Sequence, residues 1–278
     1  MSRTEELGFS LVELLVTIAL VSLVLGAAGG LVAVARPSIE QQNVRIETTQ
    51  SLRATLDTLA RDLRLGGACL PTNGTFVALS GSDAGVTDRI VTRHGLVRSD
   101  LTCVRTALRA DLPADGTDLA VDSADGFAAG MWIYIRHPNG TGEFFSITGA
   151  QAAARTLQKS TKLSKDYPLS SGVYAIDERT YATDTSDPTA PTFTVATNGG
   201  PALPFASGVE ALNIQYQLAR NCPSCDVVDL PANDSEWVLV TEIDVGVTVR
   251  SRVADARGQF FRRSGQIKAK PRNLLPPG

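Results

Sequence analysis

The sequence predicts an α+β fold: a long N-terminal helix, transmembrane then amphipathic, packed on an antiparallel β-sheet head with an inserted small β-rich subdomain. Three observations predict it. Phe9 to Val34 is an apolar run of 26 residues whose single charge is Glu13. Leu52, Leu56, Leu59 and Leu63 then recur at spacings of four, three and four, which draws one stripe along a helix. Short apolar segments separated by turn residues fill the remainder.

At about 1.5 Å per residue the N-terminal run spans about 39 Å as a helix, enough to cross a hydrocarbon core of about 30 Å. A carboxylate in such a span costs roughly 2.5–3.5 kcal/mol at the helix centre unless it meets a partner. Gly26 and Gly30 form a small-x-x-x-small pair that admits a neighbouring helix closely. With Gly29 they also weaken the helix, by roughly 1 kcal/mol each relative to alanine. The plainer account is that glycine is frequent in membrane helices. Arg36-Pro37 interrupts the helix without ending it: Pro37 removes one backbone donor and introduces a bend. Residues 44–65 read as the amphipathic part, with Arg45, Arg53, Asp57, Arg61 and Asp62 on other faces. Gly66-Gly67 is a stop signal.

Asp115 to about Thr183 reads as a separate β-rich segment, a small barrel or sandwich. Leu119–Val121, Met131–Ile135, Glu143–Ile147 and Gly172–Ile176 are its strand candidates. Asp125-Gly126, Pro138-Asn139-Gly140 and Ser170-Ser171-Gly172 supply its turns. Asp184 to Pro204, rich in Thr, Pro, Asn and Gly, reads as a connecting loop. Val209–Leu218 and Trp237–Val249 read as longer strands, the second placing Val245, Val247 and Val249 on one face. Gln259–Arg263, Gln266–Lys268 and Arg272–Leu275 close the chain.

The chain has 278 residues, 43% of them hydrophobic, and a formal net charge of −3. About 240 residues follow the span, enough for one head with an inserted subdomain. The overall balance gives no basic footprint for nucleic acid. No constellation argues for catalysis, so no enzyme, cofactor or metal is expected. His94 and His137 lie far apart in loop-like contexts and read as solvated residues. No nucleophile elbow, zinc-protease or phosphate-loop pattern occurs. Asp57/Asp62 and Asp83/Asp88 lack a phosphate or metal motif, and Asp122-Ser-Ala-Asp125-Gly126 lacks the downstream ligands of a calcium loop. Calcium there or near Asp226/Asp229 is the alternative to no metal.

A short leader, Gly8, Phe9, Ser10, Leu11, then Glu13 inside a long apolar run: this resembles the class III signal of type IV pilins and pseudopilins. The resemblance implies a leader peptide over residues 1–8, cleaved after Gly8 by prepilin peptidase, with methylation of Phe9. It implies that Glu13 pairs with the N-terminal amine of a neighbouring subunit. Physics supports that pairing: in an apolar filament core each charge alone is unpaired, whereas together they offset one another and fix axial register. A secretory signal cut near Ala33-Val34-Ala35 would want a basic leader and a shorter apolar stretch, but Arg3 is set against Glu5 and Glu6. A plain anchor leaves Gly8 and Glu13 without a role. In pilins the helix is thought to loosen on entering a filament, which makes Gly26, Gly30 and Pro37 candidates for flexibility and packing.

Within that superfamily the chain resembles PilW-type minor pilins. It shares with them Arg61-Asp62-Leu63-Arg64 before a small-residue turn and Cys69, Trp237 ahead of a Val-rich strand ending Val249-Arg250-Ser251-Arg252, and Arg272-Asn273 near the C-terminus. Pseudopilin J of type II secretion systems is similar. The implied organisation is 9–35 transmembrane and assembly helix, 36–66 amphipathic half, 67–114 and 184–278 pilin-like head, and 115–183 inserted subdomain. The implied role is a minor pilin that joins other minor pilins to initiate or cap a type IV pilus, its head at the tip; alternatives are a pseudopilin J-like component or an adhesive tip module. The implied partners are minor and major pilins, prepilin peptidase and the inner-membrane assembly platform. The resemblance also implies a single inner-membrane pass with the head periplasmic before assembly and extracellular after it.

In such an exported head, Cys69, Cys103, Cys222 and Cys225 read as disulfides. Three pairings are possible. Cys69–Cys103 with Cys222–Cys225 is favoured because the second pair closes a short loop containing Pro223. A thioredoxin-like site would want its Cys-x-x-Cys opening a helix, and a zinc site would want four ligands.

Overall fold

The computed structural model describes residues 11–71, 76–85, 87–255 and 257–271, side chains of 31–38 excepted. The leader 1–8, Phe9 and Arg272–Leu275 lie outside the described residues. Two compact units divide the chain, Met1–Glu47 and Thr48–Gly278. Helix α1 runs from Leu11 to Leu65 and continues through Arg36-Pro37.

In the first unit, none of Leu11–Gly30 is buried within the chain. The hydroxyls of Thr17 and Ser22 donate to the carbonyls of Leu14 and Ile18 at 2.8 and 2.7 Å. The helix thereby satisfies these two hydroxyls itself, as a segment surrounded by hydrocarbon must.

In the second unit α1 becomes the spine of the head. Leu52, Leu59 and Leu63 are buried and Leu56 is partly so. Each fully buried leucine contributes about 1.5–3 kcal/mol. The helix stops where Gly67 adopts φ +78°, a left-handed conformation that a side chain would strain.

Among the described residues fifteen strands follow. In chain order they begin with β1 (Leu79–Ser82), β2 (Arg89–Gly95), β3 (Arg105–Ala107), β4 (Asp118–Ala120), β5 (Trp132–Arg136), β6 (Gly142–Ser146), β7 (Gly149–Gln151) and β8 (Thr156–Gln158). Then come β9 (Gly172–Asp184), β10 (Thr192–Thr197), β11 (Leu203–Ser207), β12 (Val209–Leu218), β13 (Val227–Val228), the short helix α2 (Asp234–Trp237), β14 (Val240–Ala254) and β15 (Phe260–Ala269). All strand pairings are antiparallel. One sheet has the order β13-β12-β14-β15, a second β1-β2-β9-β10-β11 with β3, β5 and β6 attached through β9, and a third β4-β8-β7.

The main core lies between α1 and the four-stranded sheet. Val245, Val247 and Val249 are buried in it, and Asp244, Gly246 and Thr248 take the opposite face. A second core gathers Val104, Leu108, Leu119, Ile133, Phe145, Leu157 and Tyr167. Strand β9 serves both: Val173 and Ala175 belong to the second core, Tyr181 to the main one.

The structure corrects four expectations. The 115–183 strands do not close into a barrel among the described residues: they form an open three-stranded sheet plus strands joined edgewise to β9. The 184–204 stretch holds a hairpin, because Phe193 is buried and Asn198-Gly199 turns β10 toward β11 with both residues at positive φ. Trp237 ends α2 rather than opening a strand: the Asn233 side chain caps this helix by accepting from the Glu236 amide, and β14 starts at Val240. His94 sits within β2, not in a loop.

Candidate functional site

The candidate assembly segment is the exposed apolar face of α1. Glu13 lies in its first turn, where a carboxylate complements the helix dipole, and its side chain is exposed. Two turns of small residues mark its far end. A Cβ built on Gly26, Gly29 or Gly30 would meet nothing within 4 Å, so the surface there is open to another helix. Pro37 lies inside α1. Gly8 and Phe9, the predicted processing pair, lie outside the described residues. The chemistry available to this segment is burial of apolar surface plus one carboxylate that requires a cation wherever water is excluded.

The second requirement of an assembly helix is a firm grip on its head. Nonpolar packing supplies most of it. Gly265 of β15 admits the stripe so closely that an added Cβ would stand 2.8 Å from Leu56 and 3.3 Å from Leu52.

A polar latch supplies the rest. Asp62, 2% exposed, accepts hydrogen bonds from Arg179 Nη1 at 2.8 Å and from the Tyr181 hydroxyl. Arg179 also donates to Asp177 through Nε and Nη2 at 3.1 and 3.0 Å. His94 Nε2 stands 3.6 Å from Asp177. The Asp62 carbonyl accepts from the Thr92 hydroxyl at 3.2 Å. Burial and the neighbouring Asp62 push the Tyr181 hydroxyl well above the usual tyrosine range. The Arg179 guanidinium is held above its ordinary value by Asp177 and Asp62, which outweigh the opposing desolvation.

Sequence reasoning noticed Arg61-Asp62-Leu63-Arg64 as a shared motif and gave Asp62 no partner. The partners of Asp62 lie 117 and 119 residues away, so no local pattern could reveal them. The sequence places Asp62 on another face than the leucine stripe, as an exposed acid would be, whereas the structure buries it.

Two disulfides brace the head. Cys69–Cys103, separated by 34 residues, joins the end of the helix turn to the segment before β3. Cys222–Cys225 closes the loop between β12 and β13. Beside that loop Arg220 pairs with Asp226 at 2.6 Å and with Glu236 at 2.7 Å; hydrogen bonds from Asn221 and Arg220 hold Asp226, and from the Ala232 amide and Arg220 hold Glu236, below the ordinary carboxylate range. Asp226 is thus occupied by Arg220 and Asn221, and Asp229 accepts from Gln215. Among the described residues no group of three or more metal-ligating side chains gathers. His137 Nδ1 accepts from the Asn139 amide within its own turn, far from the His94 network in sequence.

No curated protein and no solved structure matches the chain. Residues 4–29 match the family model of the prokaryotic N-terminal methylation motif, which marks pilin-like structural proteins that prepilin peptidase processes and that assemble with other pilins. The motif is a prepilin-like type IV pilin signal, and with the apolar helix behind it fits membrane anchoring before assembly.

Proposed function

We propose that this chain is a minor type IV pilin, a structural subunit that joins other minor pilins to initiate or cap a pilus with its head at the tip. One observation carries the proposal: a membrane-length helix, unburied within its own chain, bears a carboxylate five residues after Gly8. Processing after Gly8 leaves Phe9 with a free amine, and Glu13 meets that amine on an adjacent protomer. Gly26, Gly30 and Pro37 supply close approach and local loosening. The head of more than 200 residues supports tip placement, since a bulky subunit crowds a packed shaft. The 115–183 segment is read as an inserted subdomain built on the second core, tied to the head through β9. The four cysteines brace a head that matures outside the cytoplasm.

The test has two parts. Mass spectrometry of the mature protein should find methylated phenylalanine at its N-terminus; a chain beginning at Met1 or Arg36 would overturn the reading. Glu13→Ala should leave the head folded while filament incorporation drops at least tenfold. Unchanged incorporation would refute charge pairing. Recovery of the protein as the most abundant filament subunit would refute the minor role, and recovery with secretion-system components alone would favour the pseudopilin J-like alternative.

A further inference from the structure

Strand β14 carries a glycine, Gly246, near its middle. Glycine weakens a strand, and one in a strand interior marks a bulge, a crowded backbone or a place where an outside group comes close. Among the described residues the first two reasons are absent. Gly246 pairs in unbroken register with Asn213 of β12 on one side and Gln266 of β15 on the other. A Cβ built on it would meet only the Asn213 carbonyl oxygen, at 3.8 Å, which is an ordinary contact. Its φ is not in the left-handed region either, so the backbone does not require a glycine.

The missing side chain leaves a shallow groove of about 370 Å³ on the outer face of the four-stranded sheet, opposite the buried Val245 and Val247. Two rows line it, Asn213–Gly246–Gln266 and Ala211–Thr248–Ser264. Neither row holds a charge, and Ala211 is the only apolar side chain in them. Their hydrogen-bonding groups are paired only in part. Thr248 and Ser264 share one bond at 2.9 Å, and Gln266 Nε2 donates to Asp244 at 2.7 Å, which leaves Gln266 Oε1 to accept. Asn213 is exposed, and its side-chain amide makes no hydrogen bond among the described residues. The charges beyond the rows cancel in pairs: Lys268 with Glu242 at 2.9 Å, and Arg262 with Glu210 at 2.6 Å.

We propose that this groove binds a neutral sugar residue of a glycan. The lining decides the class. A face that holds another protein wants large aromatic or aliphatic anchors at its centre, and the two rows have none. A charged ligand wants an uncancelled opposite charge, and the rows have none of that either. Sugar hydroxyls both donate and accept. The Asn213 carboxamide answers them with two N–H donors and one carbonyl acceptor, Gln266 with its free Oε1, and Thr248 and Ser264 with the capacity that their mutual bond leaves over. The bare Gly246 backbone lets the C–H face of the ring reach van der Waals contact with the sheet. The volume falls at the small end of ligand sites, which run from about 300 to 1,000 Å³. The groove belongs wholly to the head, so the inference stands wherever in a filament the head is carried.

The test uses the full chain in a phosphocholine detergent, which has no sugar headgroup, on an array of oligosaccharides ending in glucose, galactose, mannose, N-acetylhexosamines or sialic acid. At least one neutral-ended series should bind. Asn213→Ala should weaken that binding about tenfold, the worth of about one lost hydrogen bond. Gly246→Ala should weaken it by a similar factor, because its methyl takes the place of the ring. Near-UV circular dichroism and Tm of Gly246→Ala should stay at or above the parent, since that methyl is uncrowded within the chain. No binding to any neutral series would overturn the proposal, as would binding confined to sialylated glycans or binding that both variants leave unchanged. So would self-association, followed by sedimentation, that both variants abolish while no glycan binds: the face would then be a contact between copies.

Discussion

Asp62→Ala tests whether the polar latch holds the helix to the head. The substitution removes the acceptor of the Tyr181 hydroxyl, which is fully buried, at a cost of about 1–3 kcal/mol for the stranded donor. Arg179 loses one partner but keeps Asp177 at 3.0 Å, and its side chain is 33% exposed. Its contribution is therefore about 1 kcal/mol rather than the roughly 3–5 kcal/mol of a fully buried pair broken on one side. The Thr92 bond to the Asp62 carbonyl survives. The total is about 2–4 kcal/mol, which lowers the Tm of a head this size by about 5–15 °C. Near-UV circular dichroism of the full chain in detergent reads that shift. Tyr181→Phe on the Asp62→Ala background should cost clearly less than it does alone, with a coupling of about 0.5–3 kcal/mol. A Tm within about 1 °C of the parent, or strict additivity of the two changes, would refute the latch.

Two further predictions concern the head. Replacing Cys69 and Cys103 by serine should cost about 4 kcal/mol, against about 2 kcal/mol for Cys222 with Cys225, because the first pair closes a far longer loop; denaturant titration that reverses this order would contradict loop closure as the cause. Burial raises the hydroxyls of Tyr134, Tyr167, Tyr181 and Tyr216 above the ordinary tyrosine value of 10.0. In each case the folded state holds a proton that the unfolded chain gives up near pH 10, so stability is intact below that pH and falls as pH rises through it. Melting curves from pH 8 to 11.5 should show the decline, and Tyr216→Phe should make it shallower; a flat profile would refute the burial effect.

What the sequence revealed was whatever is written in local periodicity. The leucine stripe, the Gly66-Gly67 stop and the alternation along β14 all rest on neighbours within a few residues, and each appears in the fold. The N-terminal segment was equally legible, since length, apolarity and one carboxylate are properties of the chain itself. Composition misled at 184–204, where Thr, Asn and Pro suggested a loop but a single buried phenylalanine organises a hairpin. At Trp237 a helix start was readable in Asn233 and Glu236, yet the valines downstream drew attention to the strand. The latch was illegible for a different reason. Asp62, Asp177 and Arg179 are ordinary surface residue types, and only the tertiary fold brings them together.

Strand β9 carries a mechanical consequence. Because it contributes Val173 and Ala175 to one interior and Tyr181 to the other, neither interior keeps its walls when this strand leaves. Melting of the two should coincide instead of proceeding in stages. A load entering through α1 also reaches the second core along a continuous backbone, with Asp62 gripping Arg179 on that same strand. The thirteen consecutive residues of β9 thereby join the second core to the residue that Asp62 of α1 holds.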